Sequence, residues 1–202
     1  MSTSIVAVRP DPHSLPSGQK ERRDRIVGAA ITLLAHGGEY DAIQMRDVAE
    51  EAGVALATVY RYFTSKEHLY AAALLEWAGT FPGRLPSKRA GTSTDEVQLR
   101  ALMRRAVRAF ERYPQMMRAL IVLESSTDPN ARALFDEFAA LNVGALTSAL
   151  PSTEPERAAA IVETVNSVLV TRLRSWALGR TTIAGVDRSV QRTLDLIFAS
   201  ES

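Results

Sequence analysis

The stretch that decides the fold is Gln44 to Glu67, QMRDVAEEAGVALATVYRYFTSKE. Val48, Ala49 and Ala52 are spaced as the buried side of a short amphipathic helix. Gly53 follows, and a turn residue in the left-handed region is cheap only for glycine, so the helix ends there. Ala52 is small enough for two helices to cross closely, and Val54 plugs the corner between them. A second short helix runs from Ala55 to about Tyr62, with Val59 and Phe63 four apart on its inward side and Thr58, Arg61 and Tyr62 on its outward side. Thr64 with Glu67 three positions later is spaced as a capping box, so a further helix starts there. The composite is a helix-turn-helix whose second helix offers hydroxyl, phenol and guanidinium groups outward.

At 202 residues the chain can build one sizeable core and a small satellite domain. Its 46% hydrophobic and 23% charged residues place it among ordinary globular proteins. No apolar run reaches the roughly 18–20 residues a membrane span needs, and no secretory leader pattern is present. With zero cysteines, disulfide and thiolate chemistry are excluded, which fits a reducing cytoplasm as the expected location. Net charge is only +1, so bulk charge announces no nucleic-acid partner. Its placement says more: Lys20, Arg22, Arg23 and Arg25 lie together, Arg61 and Lys66 lie at the outward surface, and Asp47, Glu50 and Glu51 belong to the preceding helix.

Outward from the motif, Ile26, Ala29, Ala30, Leu33 and Leu34 form a helical stripe over about Gln19–His36, stopped by Gly37-Gly38. Residues 1–18 hold Pro10, Pro12, Pro16 and Gly18 without apolar period and read as a disordered arm. A fourth helix, Ser65 to about Gly79, buries Leu69, Ala72, Ala73 and Trp77, and the domain boundary is expected within it. A Pro- and Gly-bearing loop covers 82–94. The remainder is helical in pattern: about Thr94–Tyr113, a helix started by Pro114, and one capped by Asp128 with Pro129 in its first turn. A long helix over about Glu154–Leu178, capped by Ser152 or Thr153, and a last one over about Val186–Ala199 complete it. The fold class is all-α, about nine helices: an arm (1–18), a helix-turn-helix domain (19–66) and a larger helical domain (67–202).

The segment AEEAGVALATVYRYFTSKEHL resembles the DNA-binding signature of the TetR family of bacterial transcriptional regulators. The resemblance is carried by Val48, Ala49, Ala52, Gly53, Val54, Thr58, Val59, Tyr60, Tyr62, Phe63, Lys66, Glu67 and Leu69, and spans roughly residues 20–75. Two positions depart from the pattern. Ala55 replaces a helix-capping Ser or Thr, a loss of about 1 kcal/mol, and Gln44 stands where Thr is common. The resemblance implies a repressor that binds a palindromic operator as a homodimer and answers to a small-molecule effector, with no cofactor.

A helix in the major groove needs side chains that reach base edges and others that hold phosphates. Leu56 and Ala57 suit thymine methyls, and Thr58 suits either role. Arg61 suits guanine or phosphate. The resemblance makes Tyr60, Tyr62 and Lys66 phosphate ligands. Arg46 is a further phosphate candidate, and Gln44 and Ala55 flank the motif. For Tyr60 the plain alternative is core packing.

One head buries too little surface for specific binding, so a pair is expected. The apolar side of the long helix, Val165, Leu169, Leu173 and Trp176 included, together with Leu194 and Phe198, is the expected dimer element. Trp77, Met103, Val107, Phe110 and Met117 are candidates to line an effector pocket. Ile121, Phe135, Phe138 and Asn166 join them. Ordinary core packing is the competing reading for each. Asn166 and Arg172 need polar partners if buried. The reading helix also resembles regulators of lipid and sterol breakdown in actinobacteria, which implies a bulky apolar effector, a steroid or acyl-CoA.

Catalysis finds no support in motif: there is no G-x-S-x-G, no phosphate-cradling glycine loop and no H-E-x-x-H. His13, His36 and His68 lack metal-ligand spacing. A helical adaptor that does not discriminate between DNA sequences is the remaining rival.

Overall fold

A computed structural model describes residues 15–36, 40–80 and 94–199. Among these residues there are nine α-helices and no strand. They are α1 (Ser17–Ala35), α2 (Met45–Glu51), α3 (Leu56–Tyr62), α4 (Lys66–Gly79), α5 (Asp95–Arg112), α6 (Pro114–Leu123), α7 (Pro129–Thr147), α8 (Pro155–Ala177) and α9 (Ile183–Phe198). No described helix is long and apolar enough to cross a membrane. The expected stop at Gly37-Gly38 and the loop at 82–93 lie outside the described residues, as does the arm up to residue 14.

The chain forms two compact units. Of the described residues, the first comprises 15–36, 40–80 and 118–138, the second 94–117 and 139–199. The helix α4 lies wholly in the first unit.

In the first unit α1 lies against α2 and α4, and α2 against α3. Ile26, Ala30 and Leu34 of α1 are buried, as are Val48 of α2, Val59 of α3, and Phe63 and Leu69 beyond it. The stripe of α1 therefore does what its spacing predicts, with Val27 in the core and Leu33 half-exposed. The helix begins at Ser17 because the Pro16 carbonyl accepts from the Gln19 and Lys20 amides at 2.9 and 3.0 Å. At the corner, Gly53 has φ +64°. The Val54 amide reaches back to the Ala49 carbonyl at 2.9 Å and the Gly53 amide to Glu50 at 3.1 Å. These paired bonds form a Schellman motif, which a side chain at Gly53 would strain.

In the second unit α8 runs along α9, and both pack on α5. Leu99, Met103, Val107 and Phe110 are buried in α5, facing a core shared with Val165, Leu169 and Leu173 of α8 and Val186, Val190 and Leu194 of α9. Gly179, φ +72°, closes α8 by the same motif, with the Arg180 amide on the Ser175 carbonyl at 2.8 Å. Between α5 and α9, Arg100 meets Glu96 at 2.8 Å and Asp195 at 2.7 Å. Burial opposes its charge, but these hydrogen bonds outweigh it and hold the guanidinium above its ordinary value.

Two caps differ from expectation. The N-cap of α4 is Ser65, whose Oγ accepts from the His68 amide at 3.0 Å, so Thr64 and Glu67 do not form the capping box. The N-cap of α8 is Glu154, whose carboxylate accepts from the Glu156 and Arg157 amides at 3.1 and 2.9 Å. The Ser152 backbone amide and the Thr153 hydroxyl instead donate to Asp95 Oδ2 at 2.9 and 2.7 Å.

Candidate nucleic-acid interface

The seven residues of α3 divide into two faces. Val59 and Phe63, four apart, are fully buried, and Tyr62 joins them at 9% exposure. The opposite face carries Leu56 at 39% and Tyr60 at 47% exposure, with Ala57 and Arg61 also exposed. Positions 56, 57, 60 and 61 repeat at helical spacing and make one outward strip. Thr58 is half-buried at its margin. Exposed aliphatic and aromatic side chains beside a guanidinium suit thymine methyls and phosphates, respectively.

Tyr62 is therefore corrected from an outward to an inward residue. Its hydroxyl is shielded from solvent with no hydrogen-bond partner among the described residues, and its ring lies 5.3 Å from the Arg61 guanidinium. The ring thus backs Arg61 from beneath the outward strip. The signal is present in the sequence: residue 62 follows Val59 by three, and so shares its face. Tyr60, whose plain alternative is core packing, stands outward.

Ala55 is the N-cap of α3 and supplies no side-chain cap, as its identity requires. At the start of α2, Gln44 is exposed and its amide donates to Asp47 Oδ2 at 2.7 Å. Arg46 is exposed in the first turn of that helix.

Lys66 is half-buried at the start of α4. Its ammonium donates to the Tyr40 carbonyl and, at 3.5 Å, to the Asp41 carbonyl. It also lies over the Tyr40 ring at 4.3 Å and 5.9 Å from the centroid of Tyr70. Burial pulls its pKa below the ordinary lysine value, against the pull of Asp41, Glu67 and Asp47. In this conformation Lys66 braces the segment before α2. Burial likewise pushes the hydroxyls of Tyr40 and Tyr70 up, so both stay neutral.

Two contributions escape a reading of the sequence. Arg23 of α1 places its guanidinium 5.4 Å from the Phe63 ring centroid, behind the reading helix. Asp128 Oδ2 accepts from Thr64 Oγ1 at 2.8 Å and from Ser65 Oγ, between α3 and α4. No local pattern marks a partner 64 residues away; only the folded chain brings them together.

Of the residues expected to line a pocket, Trp77, Met103, Val107, Phe110, Met117 and Phe138 are buried, while Ile121, Phe135 and Asn166 are half-buried. Of the expected dimer residues, Val165, Leu169, Leu173 and Leu194 are buried within the single chain. Trp176 and Phe198 are partly exposed, beside exposed Leu178 and Leu196.

Comparison with known proteins gives the geometry a family. Residues 26–73 match the model of bacterial regulatory proteins of the tetR family, and residues 91–197 match a tetracyclin repressor-like C-terminal domain. The HTH-type transcriptional repressor KstR of Rhodococcus jostii is 31% identical over 202 residues, all of this chain and 94% of that protein. KstR of Mycolicibacterium smegmatis is 29% identical, covering 97% of this chain and 96% of its own. A solved TetR transcriptional regulator from Rhodococcus sp. RHA1 superimposes with TM-score 0.71 at 25% identity, over 93% of this chain and 100% of that one. FadR of Bacillus subtilis, solved in complex with stearoyl-CoA, superimposes with TM-score 0.66 at 18% identity, over 89% and 99%; at that identity the likeness carries the fold alone. With the motif, the helical order and both halves of the chain in agreement, this protein belongs to the TetR family and is a DNA-binding transcriptional regulator.

Proposed function

We propose that the protein is a ligand-released repressor that binds a palindromic operator as a homodimer in the cytoplasm. The observation that carries the reading is the outward strip of α3. Leu56, Ala57, Tyr60 and Arg61 face solvent on a helix whose other side is sealed into the first unit. Leu56 and Ala57 meet base edges, Thr58 and Arg61 meet bases or phosphates, and Tyr60, with Gln44 and Arg46, holds the backbone. That relatives spanning nearly the whole chain are named transcriptional repressors supports repression as the sign of control. No reaction is assigned to the protein.

The dimer face lies on α8 and α9. Val165, Leu169, Leu173 and Leu194 support it from beneath, and Trp176, Leu178, Leu196 and Phe198 meet the second copy. The effector is a bulky apolar molecule. In the second unit, Met103, Val107 and Phe110 offer adaptable apolar walls to it. The FadR likeness supports the idea that this fold can house an acyl-CoA.

The test is operator affinity with and without candidate effectors, steroids and acyl-CoAs first. The effector must bind the DNA-incompetent state more tightly, since equal affinity for both shifts nothing. A fall in operator affinity on saturation with one of them is expected. Unchanged affinity across both classes contradicts the proposed release.

A further inference from the structure

We propose that Asp128 is a positioning residue for operator recognition: one carboxylate ties the corner that follows the reading helix to the start of α7. The inference rests on the reading of α3 as the element that contacts DNA.

The geometry is a double cap. Asp128 Oδ1 accepts from the Asn130 amide at 2.8 Å and the Ala131 amide at 3.4 Å, which caps α7 in the usual way. Oδ2 faces the other way and accepts from Thr64 Oγ1 at 2.8 Å and from Ser65 Oγ. Ser65 is itself the N-cap of α4. A single side chain therefore caps one helix and holds the cap residue of another. Asn130 Nδ2 adds a bond to Thr64 Oγ1 at 3.3 Å, and the Thr64 amide donates to His68 Nδ1 at 3.2 Å.

This junction reaches the reading helix without slack. Only Phe63 and Thr64 separate Tyr62, the last residue of α3, from the cap of α4. Phe63 is fully buried and cannot swing independently. Fixing Thr64 thus fixes the end of the helix that carries Tyr60 and Arg61. A side chain that touches no DNA then sets where those two groups point. An open cleft of about 520 Å³ borders the junction, lined in part by Glu67, Ser126 and Thr127, so water competes for these bonds when they are weakened.

The substitution Asp128→Asn separates the two roles. Asparagine caps a helix as well as aspartate does, so α7 keeps its start. Its amide nitrogen, however, donates where the carboxylate accepted, so the Thr64 and Ser65 hydroxyl hydrogens lose their acceptor. Thr64→Val removes the hydroxyl from the other side and leaves Ser65 capping α4. The probe is a duplex that the parent protein selects from a random-sequence pool. Binding is measured against salt, after titrating the active fraction at saturating DNA.

The expected result is about a tenfold weaker affinity for the selected duplex in Asp128→Asn and a smaller loss in Thr64→Val. The slope of affinity against salt stays unchanged, because no phosphate contact is removed. The double variant is no weaker than Asp128→Asn alone, the mark of one shared interaction. A residue that served only to hold the fold would lower the active fraction and leave affinity per active molecule intact. Affinity within twofold of the parent for both variants overturns the inference while leaving the DNA-binding reading in place. A parent protein that selects no duplex overturns that reading instead.

Discussion

The two compact units are both helical, yet their corners are held differently. In the first, the two seven-residue helices α2 and α3 are joined to each other and to α4 by tight turns whose residues have fixed parts to play. Gly53 takes the left-handed backbone, Ser65 caps, and Lys66 braces the segment before α2. In the second, α5, α8 and α9 run 16–23 residues and are held by long apolar stripes, with Arg100 bridging two of them. Short helices gain little from propensity alone and depend on their corners. Long ones tolerate change along their length. A head that must hold reading groups in register is thus built from the less forgiving parts.

The largest effect that tests this contrast is Phe63→Ala. It empties a fully buried site at the end of α3 and is expected to cost about 3–5 kcal/mol in urea unfolding and to abolish selection of the operator. Leu194→Ala in α9, also fully buried, is expected to cost about 2–5 kcal/mol. It should weaken all DNA binding together and leave the preference between duplexes unchanged. If both variants lost base discrimination equally, the contrast between the units would not hold.

Next come two identical substitutions of opposite sign. Neither Gly53 nor Gly144 has an atom within 4 Å of the place a Cβ would occupy. Gly53→Ala forces an alanine into φ +64° and should destabilise by about 1–2 kcal/mol. Gly144 lies inside α7, where alanine should stabilise by about 0.5–1 kcal/mol. Chemical denaturation reads both, and a shared sign would break the account of the corner.

A subtler pair separates the faces of α3. Tyr62→Phe deletes a hydroxyl that is shielded and has no partner among the described residues, so operator affinity should not change and stability should hold or rise by up to about 1 kcal/mol. Tyr60→Phe deletes an exposed hydroxyl on the outward strip and should weaken operator binding and lower the salt slope if that hydroxyl holds a phosphate. A weaker Tyr62→Phe with an unaffected Tyr60→Phe would reverse the assignment.

A last test concerns acid. Burial raises the Asp128 pKa, but hydrogen bonds from Ser65, Thr64 and two backbone amides outweigh it and bring the value down from 3.8 to about 2. A depressed carboxylate adds stability above its unfolded pKa and loses it as pH falls through the folded one. The stability of parent and Asp128→Asn should therefore differ above about pH 4 and converge between there and about pH 2. Parallel curves across that window would show that the junction does not depend on the charge.

Much of the fold is legible in the residues. The apolar spacing of α1, the Gly53 corner and the Asp128-Pro129 start of α7 each follow from local chemistry, and all nine helices follow within a few residues of their ends. What escapes is what spacing leaves degenerate. Thr64 and Ser65 are both good caps; Ser65 takes the role, and the hydroxyls of both donate to the distant carboxylate of Asp128. Tyr62 reads as outward because phenols suit phosphates, although its interval from Val59 places it inward. The apolar side of α8 could serve a core or a partner, and a sequence carries no sign of which. There the core claims Val165, Leu169 and Leu173 and leaves Trp176 at the rim.

The most direct test is the ratio of affinities for the selected duplex and a scrambled one, for the parent and for Leu56→Ser with Arg61→Ala, at one fixed salt concentration. If the outward strip of α3 reads sequence, the parent should prefer its duplex by a factor on the order of 10³ or more. The double variant should lose most of that preference while retaining its weak affinity for the scrambled duplex. A preference that survives the double substitution intact would contradict the claim that this strip reads the operator.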